Sequence, residues 1–92
     1  AIESSNALAY YNRGYAHFAK GEHDKAIDDY SKAIEIDPTM GIAYNNRCLS
    51  RAISGQDLVP ALADCDQALK LNPLNLDTRD TRGFIYLKLG DP

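Results

Sequence analysis

The segment Ala33-Ile34-Glu35-Ile36-Asp37-Pro38 returns as Ala68-Leu69-Lys70-Leu71-Asn72-Pro73, 35 residues further along the chain. Every apolar position and the closing proline are kept. A second segment, Asn12-Arg13-Gly14-Tyr15, returns as Asn46-Arg47-Cys48-Leu49 and again as Thr81-Arg82-Gly83-Phe84, at spacings of 34 and 35 residues. A period in this range indicates a stack of small units, none of which can bury its apolar face alone.

Apolar residues recur at helical spacing inside each unit. Pro38 and Pro73 end two of the predicted helices, because proline lacks the backbone donor and clashes with the preceding turn. Gly21, Gly55 and Gly90 each follow a helical run, where a left-handed cap is expected. The short breaks make neighbouring helices antiparallel. The five predicted helices cover residues 6–20, 23–36, 40–54, 58–71 and 75–89.

Composition and charge exclude several classes of function. The 92 residues suit one small domain. The net charge of −3 argues against nucleic-acid binding, which needs a clustered basic face. No apolar run approaches the roughly 18 residues of a membrane span, and there is no signal-peptide pattern. The sequence does not identify a compartment, and among compartments the cytoplasm is favoured.

Small, aromatic and proline positions recur together in both units. The first unit has Tyr10, Gly14, Ala26, Tyr30 and Pro38 at these positions. In this pattern the chain resembles the tetratricopeptide repeat. The second unit keeps the pattern less fully, with cysteine replacing the glycine and the second aromatic. The resemblance implies an all-α, right-handed solenoid of antiparallel helix pairs, about two and a half repeats long. The single domain 1–92 divides into repeat one at 7–40, repeat two at 41–75 and a half repeat at 76–92.

This resemblance implies a non-enzymatic scaffold that binds a protein or peptide in a concave groove lined by the first helix of each pair. The predicted groove is aromatic at one end, rich in amides in the middle and acidic at the other end. We therefore expect a partner with apolar anchors and a basic end. An alternative is an accessory interaction domain of a larger enzyme. The predicted groove residues are Tyr11, Asn12, Tyr15, Asn45, Asn46, Leu49, Asp77, Asp80 and Phe84.

One known groove of the family does not fit this sequence. Family members that bind the acidic C-termini of chaperones use a clamp of lysine, arginine and asparagine side chains. The clamp positions fall here on Tyr11, Tyr15, Asn46, Asp77 and Thr81, and only the asparagine matches. Recognition of an anion needs the basic donors that are missing. We therefore expect no binding of such acidic peptides.

Charged residues and cysteines also recur in register. Arg13, Arg47 and Arg82 recur in step with Asp29 and Asp64, which predicts a ladder of ion pairs between helices rather than an anion site.

Cys48 and Cys65 are predicted to face each other as buried, reduced thiols. A disulfide and a metal site shared with His17 are the alternatives. Zinc usually needs four ligands and these residues supply three, so no metal is expected. No cofactor and no catalytic constellation are predicted.

The fifth predicted helix carries apolar residues and has no following helix to cover them. An exposed apolar stripe of this kind usually contacts another surface. We expect either self-association through this helix or a fragment of a longer repeat protein, unless the stems of Tyr86 and Lys88 cover the stripe in a monomer. The predicted self-association residues are Phe84, Ile85 and Leu89.

Overall fold

A computed structural model describes residues 2–55 and 57–90, and in this part of the chain it contains five α-helices. The predicted all-α fold is confirmed, and four of the five helices begin and end within one residue of the predicted bounds. The first begins earlier than predicted because no proline or glycine interrupts the chain before Gly14. The helices are α1 Ile2–Ala19, α2 His23–Ile36, α3 Gly41–Ser54, α4 Leu58–Leu71 and α5 Leu76–Lys88.

The predicted caps are also present. Gly21, Gly55 and Gly90 have φ angles of 79°, 75° and 77°, and they are the described residues with positive φ. Glycine adopts this left-handed conformation without the steric cost that a Cβ atom imposes. The turns between the helices are therefore tight, and neighbouring helices pack against each other along their length.

The helices form antiparallel pairs that stack in chain order. α1 packs on α2, α3 on α4, and the second pair contacts the first mainly through α2 and α3. α5 packs back onto both α4 and α3. The first helices of the units therefore lie side by side, with α3 in contact with both α1 and α5. The folded chain is elongated, with extents of 44 × 27 × 17 Å.

Of the small and aromatic positions that carry the resemblance in the first unit, the structure buries all but Tyr10. Gly14, Ala26, Tyr30 and Ala33 are buried, but Tyr10 is only partly buried. The Arg13 guanidinium lies 5.5 Å from the centre of the Tyr10 ring. The ring that contacts Tyr30 is instead that of Tyr11, with ring centres 5.6 Å apart.

A second cluster contains the two cysteines, and here the prediction of reduced thiols is wrong. Cys48 and Cys65 form a disulfide, with Cα atoms 5.5 Å apart. Small residues at both positions let α3 and α4 approach closely enough for the bond. The remaining buried members of the cluster are Ala52, Ala61 and Ile85.

The prediction that Ile85 lies on an uncovered face is also wrong. Ile85 has no exposed surface, because α5 packs on the preceding helix pair and Ile85 lies in the disulfide cluster there. The large apolar residues of α5 that remain exposed are Leu76, Phe84 and Leu87, and Leu89 follows just after the helix. Self-association through Ile85 is therefore no longer supported.

Two glycines at the same repeat position have opposite surroundings. A Cβ atom on Gly14 would lie 3.0 Å from two ring carbons of Tyr30 and 3.1 Å from Cβ of Asp29. A Cβ atom on Gly83 would meet nothing within 4 Å. The first glycine is therefore required by packing, whereas the second only weakens its helix.

We expect these substitutions to change stability in opposite directions. Gly14→Ala should lower the free energy of unfolding by about 1–3 kcal/mol through overpacking. Gly83→Ala should raise it by about 0.5–1 kcal/mol, because alanine loses less backbone entropy in a helix interior. Urea unfolding followed by circular dichroism measures both values. Changes of the same sign would contradict the assigned packing of α1 on α2.

Candidate functional site

A line of side-chain hydrogen bonds connects the three first helices. Thr78 of α5 donates through Oγ1 to Oδ1 of Asn45 at 2.6 Å. Nδ2 of Asn45 donates to Oδ1 of Asn46 at 3.1 Å. Nδ2 of Asn46 then donates to the hydroxyl of Tyr11 on α1 at 3.0 Å. These bonds fix the side chains in the middle of the face formed by α1, α3 and α5.

The predicted amide-rich centre is therefore partly occupied by internal bonds. Each amide nitrogen of Asn45 and Asn46 uses one of its two hydrogens and keeps one for another acceptor. Asn12 is exposed and follows Tyr11 on α1. The sequence analysis did not include Thr78 among the groove residues. Thr78 holds the same position in its repeat as Ala43 does in the preceding one, and Ala43 is buried. A polar residue at a buried register position is the signal that could have found it.

The aromatic end of the face is formed by α1. The rings of Tyr11 and Tyr15 stack with centres 6.4 Å apart, and those of Tyr15 and Phe18 with centres 6.3 Å apart. Tyr15 is 54% exposed, so most of its ring is available for contact. Tyr11 is half-buried, and this burial raises the pKa of its hydroxyl. Tyr15 is therefore the predicted residue with the largest free aromatic surface at this end.

Tyr30 lies beneath the aromatic end and is uncharged at neutral pH. Burial raises the pKa of Tyr30 to about 12, and the nearby Asn46 offsets the effect only partly. The buried hydroxyl makes no hydrogen bond to any residue that the structure describes. At neutral pH the aromatic end is accordingly a neutral surface with tyrosine hydroxyls at its edges.

At the other end, an apolar depression of about 330 Å³ lies between α3 and α5. Leu49 and Phe84, both predicted, meet here, and the Phe84 side chain is 43% exposed. Asp80 stands at its rim, whereas Asp77 lies outside it. The sequence analysis missed Ile53, which could have been found because it follows Leu49 by one helical turn. The lining residues are Leu49, Ala52, Ile53, Asp80, Thr81 and Phe84.

Ion pairs lie between the helices of each pair, and among the residues that the structure describes none of these pairs includes Asp80 at the rim. Nε and Nη2 of Arg13 hold both carboxylate oxygens of Asp29, at 2.9 and 2.7 Å. These hydrogen bonds from the Arg13 guanidinium lower the pKa of Asp29. Arg47 holds Asp64 in the same way at 2.9 and 2.6 Å. The predicted ladder is present at both aspartates.

The described residues contain no group of three or more His, Cys, Asp and Glu side chains that could hold a metal. The alternative with His17 and the cysteines is excluded, because His17 shares a 2.8 Å hydrogen bond with Glu22 and both cysteines are in the disulfide. None of the described helices has the length and apolar character of a membrane span.

Comparison with known proteins gives one family. The family model "Tetratricopeptide repeat" matches residues 7–40. Stress-induced-phosphoprotein 1 of Caenorhabditis elegans is 34% identical over 95 residues, covering 91% of this chain and 27% of that protein. Heat shock protein STI1 of Saccharomyces cerevisiae is 34% identical over 91 residues, covering 96% of this chain and 15% of that protein. The chain thus spans about a quarter or less of these relatives.

A solved structure has the same fold over nearly the whole chain. The first TPR of Spaghetti (RPAP3), bound to the HSP90 peptide SRMEEVD, superposes with a TM-score of 0.87 at 29% identity. The match covers 94% of this chain and 68% of that chain. The family model and this solved structure both belong to the tetratricopeptide repeat, and the predicted resemblance is confirmed.

Proposed function

Because this chain belongs to the tetratricopeptide repeat family, we propose that it binds a peptide segment of a partner protein across α1, α3 and α5. The proposal is supported most directly by the apolar depression between Leu49 and Phe84, which has an aspartate at its rim. Tyr15 supplies a second exposed anchor surface on α1. Tyrosine and phenylalanine at such positions give large contact area at a low cost in conformational entropy. No catalytic role is proposed for this surface.

Two acidic side chains, one at the rim and one beside the depression, indicate which peptides fit. Asp77 and Asp80 are exposed one turn apart on α5, and neither has an ion-pair partner among the described residues. A lysine or arginine of the ligand placed here would be attracted, whereas a carboxylate would be repelled. We propose a ligand with an apolar side chain in the depression and a basic side chain beside Asp80.

This specificity differs from that of the structural neighbour. That protein is bound to SRMEEVD, a peptide with three acidic residues at its end. Four of the five clamp positions carry Tyr11, Tyr15, Asp77 and Thr81 in this chain, so the cationic donors are absent. The same fold is accordingly proposed to serve a ligand of the opposite charge.

The experiment is selection of a phage-displayed library of random dodecapeptides on the immobilised chain. Enriched peptides should combine an aromatic or aliphatic residue with lysine or arginine, and synthetic SRMEEVD should not bind. Tyr15→Ala and Phe84→Ala should each weaken a selected peptide by about 2 kcal/mol, as anchor residues do. Asp80→Lys should slow association at low salt. Fluorescence anisotropy measures each effect.

The matched control is Asp28→Lys, which makes the same charge change at an exposed position of α2. It should leave the affinity within about twofold, since the charge of the whole chain matters less than the charge at the rim. Enrichment of acidic peptides, or binding that survives Phe84→Ala together with Asp80→Lys, would refute the groove as the binding surface.

A further inference from the structure

The disulfide cluster adjoins the apolar depression between α3 and α5. Ala52 belongs to both, since it lines the depression and is also a buried member of the cluster. On α3, Leu49 of the depression directly follows Cys48. On α5, Phe84 of the depression directly precedes Ile85, which is another buried member of the cluster. Both walls of the depression are therefore attached to residues that pack on the disulfide.

The cluster is closed to solvent and is made mostly of small side chains. Cys48, Cys65 and Ile85 have no exposed surface, and Ala52 is 3% exposed. Two thiol sulfurs need a wider separation than two bonded sulfurs, because without the bond they must stay at van der Waals distance. Protein interiors are packed as densely as organic crystals and transmit such a change to their neighbours. Breaking the bond is therefore expected to move α3 relative to α4, and to displace the walls of the depression with it.

The first helix pair is built without a bond at the equivalent positions. Cys48 and Cys65 hold the repeat positions of Gly14 and Tyr30. In the first pair the Tyr30 ring packs on the backbone of Gly14, where an added Cβ atom would lie 3.0 Å from two ring carbons. A reductant has no bond to break there, so that the packing of α1 on α2 is left as it is. Sensitivity to reduction is thus confined to the part of the surface that holds the depression.

We propose that this disulfide is a redox switch for the peptide site, so that the oxidised chain binds its peptide and the reduced chain releases it. The switch rests on the proposed function, because it acts on the same surface. The reductant is a dithiol, and its thiolate attacks one sulfur to form a mixed disulfide, which its second thiol then resolves. The bond between Cys48 and Cys65 breaks, each sulfur takes up one proton, and the dithiol loses two electrons and two protons to become a disulfide.

Burial of both sulfurs sets the bound peptide against the reductant. A dithiol reaches a fully buried bond only when the packing of α3 on α4 opens locally. A peptide seated between Leu49 and Phe84 binds the closed form, and it therefore opposes this opening. By linkage, a peptide that favours the oxidised chain by a given factor makes the disulfide harder to reduce by the same factor. The bound ligand therefore protects the bond, and the reductant acts on the free chain.

The experiment measures the affinity of one dodecapeptide, selected on the oxidised chain, for the oxidised and the reduced chain by fluorescence anisotropy. The reduced chain is prepared with dithiothreitol in denaturant and refolded in its presence. Reduction should weaken binding at least about tenfold, the change that corresponds to 1.4 kcal/mol. Reoxidation with oxidised glutathione should restore the affinity. The matched control is the double variant Cys48→Ala with Cys65→Ala, whose affinity dithiothreitol should leave unchanged.

Amide chemical shifts in ¹H–¹⁵N spectra give a second readout, which needs no peptide. Reduction should move the signals of residues 80–84 on α5, which are distant from both cysteines in sequence, and should leave those of α1 in place. Equal affinity of the oxidised and reduced chains would overturn the switch. Unmoved signals on α5, or a reduced chain with the spectrum of an unfolded protein, would also overturn it. Failure of the groove looks different, because then neither form would bind a selected peptide.

Discussion

Replacing Asp64 by asparagine is expected to lower the free energy of unfolding by about 3–5 kcal/mol, the cost of removing one partner from a buried ion pair. Asp64 is 4% exposed and accepts hydrogen bonds from two arginines. Arg47 contacts it at 2.6 and 2.9 Å, and Arg51 contacts it at 2.7 Å. An asparagine amide would turn a donor toward donors, and it would leave both guanidinium groups without a counter-charge.

The expected loss is large compared with the total stability of a domain of this size. A domain of this size has a total stability of about 5–14 kcal/mol, at roughly 0.05–0.15 kcal/mol per residue. Loss of the Asp64 carboxylate would therefore remove a large fraction of it. The matched control is Asp66→Asn, because Asp66 lies on the same helix and forms an exposed pair with Arg82 at 3.2 Å. Exposed pairs contribute about 0–1 kcal/mol.

Urea unfolding of both variants measures the difference. A double variant that also replaces Arg47 by methionine should lose less than the sum of the two single losses, because contacting residues are not additive. If Asp64→Asn and Asp66→Asn had the same free energy of unfolding, the ion pairs of Arg47 and Arg51 with Asp64 would not be a major source of stability.

The helices and their order could be predicted because their signals are local and repeated. Pro38 and Pro73 cannot continue a helix, and Gly55 supplies the left-handed cap at little steric cost. The 35-residue period then placed the arginines in step with the aspartates, and the two ion pairs followed. These features depend on spacing along the chain, which the sequence records directly.

The faces of the helices were harder to predict because they depend on how pairs pack on each other. Ile85 holds the same repeat position as Ala16 and Ser50. Because these three residues differ in size and polarity, the repeat gives no indication that the position is buried. The buried contact of Ile85 arises because α5 packs backwards on α3 and α4. Tyr10 and Tyr11 are adjacent, and only the angle between α1 and α2 decides which ring reaches Tyr30.

In the groove, Leu49, Asp80 and Phe84 were predicted to lie on one surface, and the structure brings them together around one depression. The hydrogen bonds of Asn45 and Asn46 were not predictable, because they join α1, α3 and α5. The sequence period does not determine how far these helices are shifted along their axes relative to one another. For Cys48 and Cys65 the register correctly gave a facing pair. Whether facing cysteines bond depends on the distance between their Cα atoms, and this distance follows from the packing of α3 on α4.

Reduction of the disulfide between Cys48 and Cys65 is expected to be the other large loss of stability. The bond closes a loop of 17 residues in sequence separation. Loops of about this length restrict the unfolded chain by an amount worth about 3 kcal/mol. In a domain of this size such a loss lowers the midpoint of thermal unfolding by roughly 12–24 °C, at about 4–8 °C for each kcal/mol.

The test compares thermal unfolding of the oxidised chain with that of the same chain reduced in denaturant and refolded with reductant. Because both sulfurs are fully buried, reductant added to the folded chain should act only as fast as the pair opens. A Cys65→Ala variant is the control, since its midpoint should be the same with and without reductant. Intact mass should be lower by two hydrogens before reduction. If both cysteines of the unfolded, unreduced chain reacted with iodoacetamide, the bond would be absent, and the two thiols would be the small buried side chains that the sequence analysis predicted.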